Sequence, residues 1–285
     1  MAMGAFPSVE QVLTGLQLLE QELLLFAAFW FIVGALDELS VDIAWLWLRV
    51  SGRLRRICLS AEDETAPLSG RLAVLVPAWR EADVIAPMID HTLRAWPQDG
   101  LTLYVGCYAN DEATIAAAMK GAGRDHRVRL VIHDRIGPTT KADCLNRLYR
   151  ALCDDEQRSG LPFTGLVLHD AEDMVHPAAL TVIDRALAHV DFVQLPVRPE
   201  LQAASPWVAG HYADEFAESH ARALVVRDRL GAAIPAAGVG CGFAREAIAA
   251  LARQRAGTGG NGPFAEECLT EDYELGLLVS RGGAS

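Results

Sequence analysis

His169-Asp170-Ala171-Glu172-Asp173 sets three carboxylates directly after the apolar run Leu166-Val167-Leu168. If that run is a strand, its two-residue period sends Asp170 and Glu172 to one side. Ligands of open α/β sheets bind beyond the carboxyl ends of the strands. Hard oxygen ligands in that position suit Mg²⁺ or Mn²⁺ carrying a diphosphate. A local alternative stands beside this one: acids that end a strand also cap the next helix, here beginning near Pro177.

Thr270-Glu271-Asp272 precedes Tyr273-Glu274-Leu275-Gly276 and supports two readings of the same kind. Thr270 could start a helix whose first turn favours Glu271 and Asp272 through the macrodipole. The chemical reading makes Asp272 a general base. Gly137-Pro138-Thr139-Thr140-Lys141 is a turn ahead of a helix that includes Asn146, and Lys141 at that start could meet a phosphate or simply be solvated. Pro77-Ala78-Trp79-Arg80-Glu81 forms a turn that could set Glu81 against a base or ribose. Gly238-Val239-Gly240-Cys241-Gly242-Phe243 is no dinucleotide fingerprint, because it lies late in the chain and Phe243 stands in place of the third glycine. Its small residues read as a tight turn or as room for a sugar ring. His211, Glu215 and His220 lack zinc-helix spacing.

The elements that must position these residues alternate. Short apolar runs at 72–76, 101–107, 128–133, 165–169 and 191–195 read as strands. Stretches 84–95, 111–120, 142–153 and 177–189 read as helices between them, giving α/β architecture with a mostly parallel sheet. Residues 254–263 are glycine-rich and read as a loop.

Ahead of this body, residues 23–36 are uncharged and apolar, and residues 12–19 extend them upstream, so the stretch reads as one membrane helix. Asp37 and Glu38 then belong near an interface. Trp45 and Trp47 suit a headgroup boundary on an interfacial helix, and Arg49, Arg53, Arg55 and Arg56 place the downstream chain on the cytoplasmic side. The expected division is 1–57 membrane and interfacial helices, 58–69 polar linker, and 70–285 globular domain.

Twenty-five Lys and Arg against 37 Asp and Glu give a net charge of −12, which disfavours a nonspecific grip on nucleic acid. At 51% hydrophobic the 285-residue chain is too apolar for disorder. Its six cysteines are scattered without a C-x-x-C pair, so neither a zinc ribbon nor a disulfide framework is indicated.

Taken in order, VLVPAWREADVI, KADCLN, HDAED and TEDYELG resemble the processive-type family 2 glycosyltransferases with their GT-A nucleotide-diphospho-sugar transferase fold. The anchor, YVGCYANDEAT and HDAEDMVHP look most like the inner-membrane phage adsorption protein B subgroup. The resemblance implies that Pro77 through Glu81 line the nucleotide end and that Lys141 and Asn146 belong to the donor-site motif. It further makes Asp170, Glu172 and Asp173 the metal and diphosphate motif and Asp272 the base. It implies inverting transfer from a nucleotide-diphosphate sugar, by resemblance a UDP-sugar, to a surface or secreted polysaccharide at the bacterial inner membrane, using Mg²⁺ or Mn²⁺. An outer-membrane export partner would then receive the product. The alternative is a non-catalytic scaffold or phage-receptor component of the same fold.

Three departures accompany the resemblance. After the second strand, where many members carry an acid for the nucleobase, this chain has Gly106-Cys107-Tyr108, with acid only at Asp111. The metal motif is Asp-Ala-Glu-Asp rather than Asp-x-Asp, with Asp170 favoured as first ligand. Neither a Gln-x-x-Arg-Trp motif nor C-terminal membrane helices come after it, so the domain is expected to be C-terminally incomplete.

Overall fold

The computed structural model describes residues 8–54, 58–201 and 204–282. Arg55 and Arg56, two of the four arginines read as the cytoplasmic flank, lie outside them. The chain divides into two units, Met1–Arg55 and Arg56–Ser285.

The first unit is one helix, α1 (Val9–Val50), entered through a capping box in which Gln11 N–H donates to Ser8 Oγ and Ser8 N–H to Gln11 Oε1. It runs unbroken through Asp37 and Glu38, so the expected separate interfacial segment is the end of the same helix. Its most apolar stretch has mean hydropathy 1.8 with none of it buried, which makes α1 long and apolar enough to cross a membrane. Near its end Arg49 lies over the Trp45 ring and Arg53 over Trp47.

The second unit opens with α2 (Glu62–Thr65), a single turn inside the stretch expected as a linker. It is tied down: Arg185 donates to Asp63 at 2.5 Å, and Ser69 N–H to Asp184 at 2.7 Å. Next come β1 (Arg71–Pro77), α3 (Ile85–Ala95), β2 (Leu101–Tyr108), α4 (Glu112–Ala122), β3 (Val128–His133), α5 (Lys141–Ser159), β4 (Phe163–Leu168), α6 (Ala179–Leu187) and β5 (Phe192–Gln194). The chain continues through α7 (Pro206–Glu218), a π-helical turn (Ser219–Ala223), α8 (Leu224–Arg229), β6 (Cys241–Ala244), α9 (Arg245–Ala256) and α10 (Glu271–Gly282).

The sheet order is β3-β2-β1-β4-β6-β5. The first four strands are mutually parallel; β6 runs antiparallel to both β4 and β5. The turn-like reading of 238–243 is therefore corrected at its second half. Gly242 and Phe243 are strand residues, and a Cβ at Gly242 would collide with Ile183.

β1 is buried on both faces, as a central parallel strand must be. Ala73 and Leu75 join the core under α5, α9 and α10, whereas Leu72, Val74 and Val76 join the core under α3, α4 and α6. Because β1 has β2 on one side and β4 on the other, the chain winds in opposite senses from it, and the carboxyl ends of β1 and β4 diverge into a crevice.

Candidate active site

The crevice is a cavity of about 340 Å³ lined by Pro77, Trp79 and Glu81 after β1, Tyr108 at the end of β2, Thr139, Lys141 and Cys144 at the start of α5, and Asp170 and Glu172 after β4. Each wall has a local cause. Thr140 caps α5 by accepting the Asp143 N–H at 3.1 Å, which makes Lys141 the first helical residue and adds the helix N-terminus to its charge. Arg80 adopts φ +60°, a conformation that favours glycine, and its N–H is held by Asp111 at 2.6 Å. Glu81 N–H donates to Thr114 at 3.0 Å. The β1–α3 turn is thus clamped to the start of α4.

Lys141 Nζ reaches Asp170 Oδ1 at 2.5 Å. Asp272, in the first turn of α10, lies close enough to act on the Lys141 charge without pairing directly with it. A Cβ added to Gly238 (φ +77°) would overlap Asp272 Oδ2 and lie 3.5 Å from Lys141 Nζ. Burial pushes the Lys141 ammonium down, but Asp170, Glu271 and Asp272 outweigh it and leave the group above its usual range. Carboxylates from residues 170 and 272 thus flank one lysine at the sheet's rim. Asp170 caps no helix, whereas Asp272 sits in the first turn of α10, where its Oδ1 accepts the Tyr273 N–H at 2.7 Å, as the local reading of that stretch expects. The start of α6 has no side-chain cap, and the Thr270 hydroxyl faces Cys268 Sγ at 3.7 Å.

Burial, then Glu172, Asp170 and Asp111 in turn, raise the Glu81 carboxyl above its usual range. Glu271, buried beside Asp272, is likewise raised, first by burial. This like-charge crowding is what a cation would relieve. Among the described residues no three His, Cys, Asp or Glu side chains form a protein cage for a metal. Mg²⁺, however, is ordinarily held by one or two carboxylates together with substrate phosphates and water. Asp170 and Glu172 on the cavity wall fit that mode.

Two residues singled out from the sequence face elsewhere. Asp173 accepts the Asp170 N–H at 3.0 Å and lies 3.6 Å from His169 Nδ1, closing its own loop. Asn146 is fully buried; its amide donates to the Phe264 carbonyl at 2.9 Å and accepts the Phe264 N–H at 3.0 Å. It fixes the segment after the glycine-rich loop. Asp111 is buried, and the Arg80 and Thr114 N–H groups occupy its carboxylate. The wall at the end of β2 is aromatic instead. Trp79 meets Tyr108 edge-on at 5.2 Å, and the Tyr108 hydroxyl pairs with Thr139 at 2.7 Å.

Sequence reasoning missed Gln194. Its amide donates to the Val239 and Leu195 carbonyls, each at 2.9 Å, and accepts the Ala237 N–H at 2.8 Å, holding the turn that bears Gly238 against Asp272. A glutamine closing an apolar strand was the available signal.

Residues 69–285 match the family model described as Glycosyltransferase like family 2. The chain belongs to that family. This family 2 member is 33% identical over 261 residues, 90% of its length, to bacteriophage adsorption protein B of Escherichia coli strain K12. The same figures hold for bacteriophage N4 adsorption protein B of Escherichia coli O157:H7. The chain spans about a third, 34%, of the length of these curated relatives. Among solved structures it is similar to the mannosyltransferase PcManGT from Pyrobaculum calidifontis, in complex with GDP-Man and Mn²⁺. The TM-score is 0.51 at 21% identity, covering 84% of this chain and 59% of that one. The likeness is one of fold: the α/β body with its mostly parallel sheet is the GT-A fold.

Proposed function

We propose that this family 2 member is a membrane-anchored inverting glycosyltransferase that moves a sugar from a nucleotide diphosphate, a UDP-sugar in the first instance, to a growing surface or secreted polysaccharide. The supporting observation is the convergence of Asp170 and Asp272 on Lys141 at the mouth of the cavity. The nucleotide end lies along Pro77, Trp79 and Glu81, and the diphosphate lies against Lys141 and the amino end of α5. Asp272 accepts the proton of the acceptor hydroxyl as that oxygen attacks the anomeric carbon from the side opposite the diphosphate. A bond from acceptor oxygen to anomeric carbon forms, the bond to the diphosphate oxygen breaks, and the configuration inverts. A Mg²⁺ or Mn²⁺ ion held by Asp170 and Glu172 would neutralise charge on the departing diphosphate. Lys141 lies on the same path and supplies a fixed positive charge to it. The mannosyltransferase relative, whose complex contains GDP-Man and Mn²⁺, accords with this donor chemistry. The apolar α1 and the arginines after it favour residence at the inner membrane with the transferase domain in the cytoplasm. A polysaccharide product made there would need an outer-membrane export partner.

The test uses the full chain in detergent or membranes with UDP- and GDP-sugars, tracking nucleoside diphosphate release and transfer. Asp272→Asn is expected to lower kcat by about 10²- to 10⁴-fold while calorimetric binding of nucleoside diphosphate with Mn²⁺ stays unchanged. Undiminished transfer in that variant would remove Asp272 as the base. Failure of the wild type to bind nucleotide with Mn²⁺ would favour the scaffold alternative.

A further inference from the structure

A groove of about 680 Å³ lies away from the cavity, along the outer edge of the sheet. Its floor is β3, paired among the described residues only with β2 and last on its side. Leu103 N–H donates to the Arg127 carbonyl at 2.7 Å, so the odd-numbered residues of this strand turn their backbone toward β2. By alternation the N–H and C=O of Leu130 and Ile132 face outward, without partners among the described residues. Residues 128–133 contain none of the proline or lysine that commonly blunts an edge.

The other bank is a single stripe of α5, Arg147, Ala151, Asp154 and Arg158, at one-turn spacing. From Arg147 to Arg158 the helix rises roughly 16 Å. That is the length of about five extended residues. Arg129 and Arg158 share Asp155, which also accepts the Tyr104 hydroxyl, so their charge is largely answered. Arg147 is half-buried and forms no ion pair among the described residues, although the Asp134 carboxylate lies within its electrostatic reach. Among the described residues Asp154 is the one acid lining the groove. A strand edge with open backbone groups therefore runs beside a guanidinium that makes no direct ion pair.

We infer that this groove takes an extended acidic segment of a partner protein, added to the sheet as a seventh strand. Its backbone pairs with Leu130 and Ile132, one of its carboxylates meets Arg147, and a small apolar side chain settles over Ala151. Main-chain pairing supplies the affinity of such strand addition, and side chains at alternate positions supply its selectivity.

The probe is a fluorescein-labelled peptide, acetyl-Val-Glu-Val-Glu-Val-Glu-amide, titrated into the full chain in detergent and monitored by anisotropy. Saturable binding is expected, weakened at least about fivefold by Arg147→Glu. Ile132→Pro removes only an outward N–H and should weaken binding comparably while circular dichroism and the melting temperature hold. N-methylation of alternate peptide amides should abolish binding. Absence of saturation into the millimolar range would overturn the proposal. So would equal binding of the lysine counterpart or the N-methylated peptide, or wild-type affinity in both variants.

Discussion

Gly238 and Asp272 show how much a site depends on a residue with no side chain. At φ +77° and with Asp272 Oδ2 where a Cβ would sit, Gly238→Ala should displace the carboxylate. Transfer should then fall toward the level of Asp272→Asn, with a stability loss of about 1 kcal/mol or more in chemical denaturation. Glu271, next in line, gives a pH signature. Burial raises its carboxyl in the folded chain, so folding favours the proton. That stability is complete below the ordinary carboxylate range and is lost as pH rises through the raised value. In Glu271→Gln this contribution is removed, so its melting temperature should fall less, or rise more, than that of the wild type as pH climbs above the ordinary carboxylate range. Glu81, Lys141, Asp170 and Glu172 line the cavity; spacing alone left each of them a local alternative, and only the resemblance of the four motifs taken in order joined them in one site. The destinations of Asp173 and Asn146 were not legible in the sequence. Whether a carboxylate or amide faces a cavity or a nearby backbone depends on loop geometry that linear spacing does not encode.

At the scale of elements, the start of α4 holds more than its own helix. Asp111 caps it through the Thr114 N–H and also holds the Arg80 N–H in its unusual conformation. Asp111→Ala should therefore cost about 1–2 kcal/mol, measured by denaturant titration, and loosen the turn bearing Glu81. Strands β1 to β5 were readable because their apolar runs are short and bounded by turn residues. β6 was not, since Cys241-Gly242-Phe243-Ala244 has little intrinsic strand preference and is recruited by its neighbours. Phe243 stacks on Phe192 at 4.8 Å, and Gly242 fits under Ile183. Tertiary packing decides that strand. The stretch before β1 reads as a polar linker, but Asp63 and Ser69 bind it to α6 through partners more than a hundred residues away.

The whole molecule joins two chemically different units, an apolar helix with no buried face over its most apolar stretch and an acidic α/β body. If α1 sits in a bilayer, Ile32→Arg should oppose insertion by about 2.5–3.5 kcal/mol and shift chain from the membrane pellet to the soluble fraction on ultracentrifugation. An unchanged distribution would argue that α1 is held by protein instead. The placement of β6 has a consequence for how the body is made. During synthesis β1 through β4 emerge first and can pair, β4 returning to the free edge of β1, yet the other flank of β4 waits for a strand encoded far downstream. A ribosome-bound intermediate would thus expose that flank until β6 slots in, and only afterwards could α10 bring Asp272 to Lys141. The pocket's chemistry is completed by a stretch translated well after most of the sheet has been laid down.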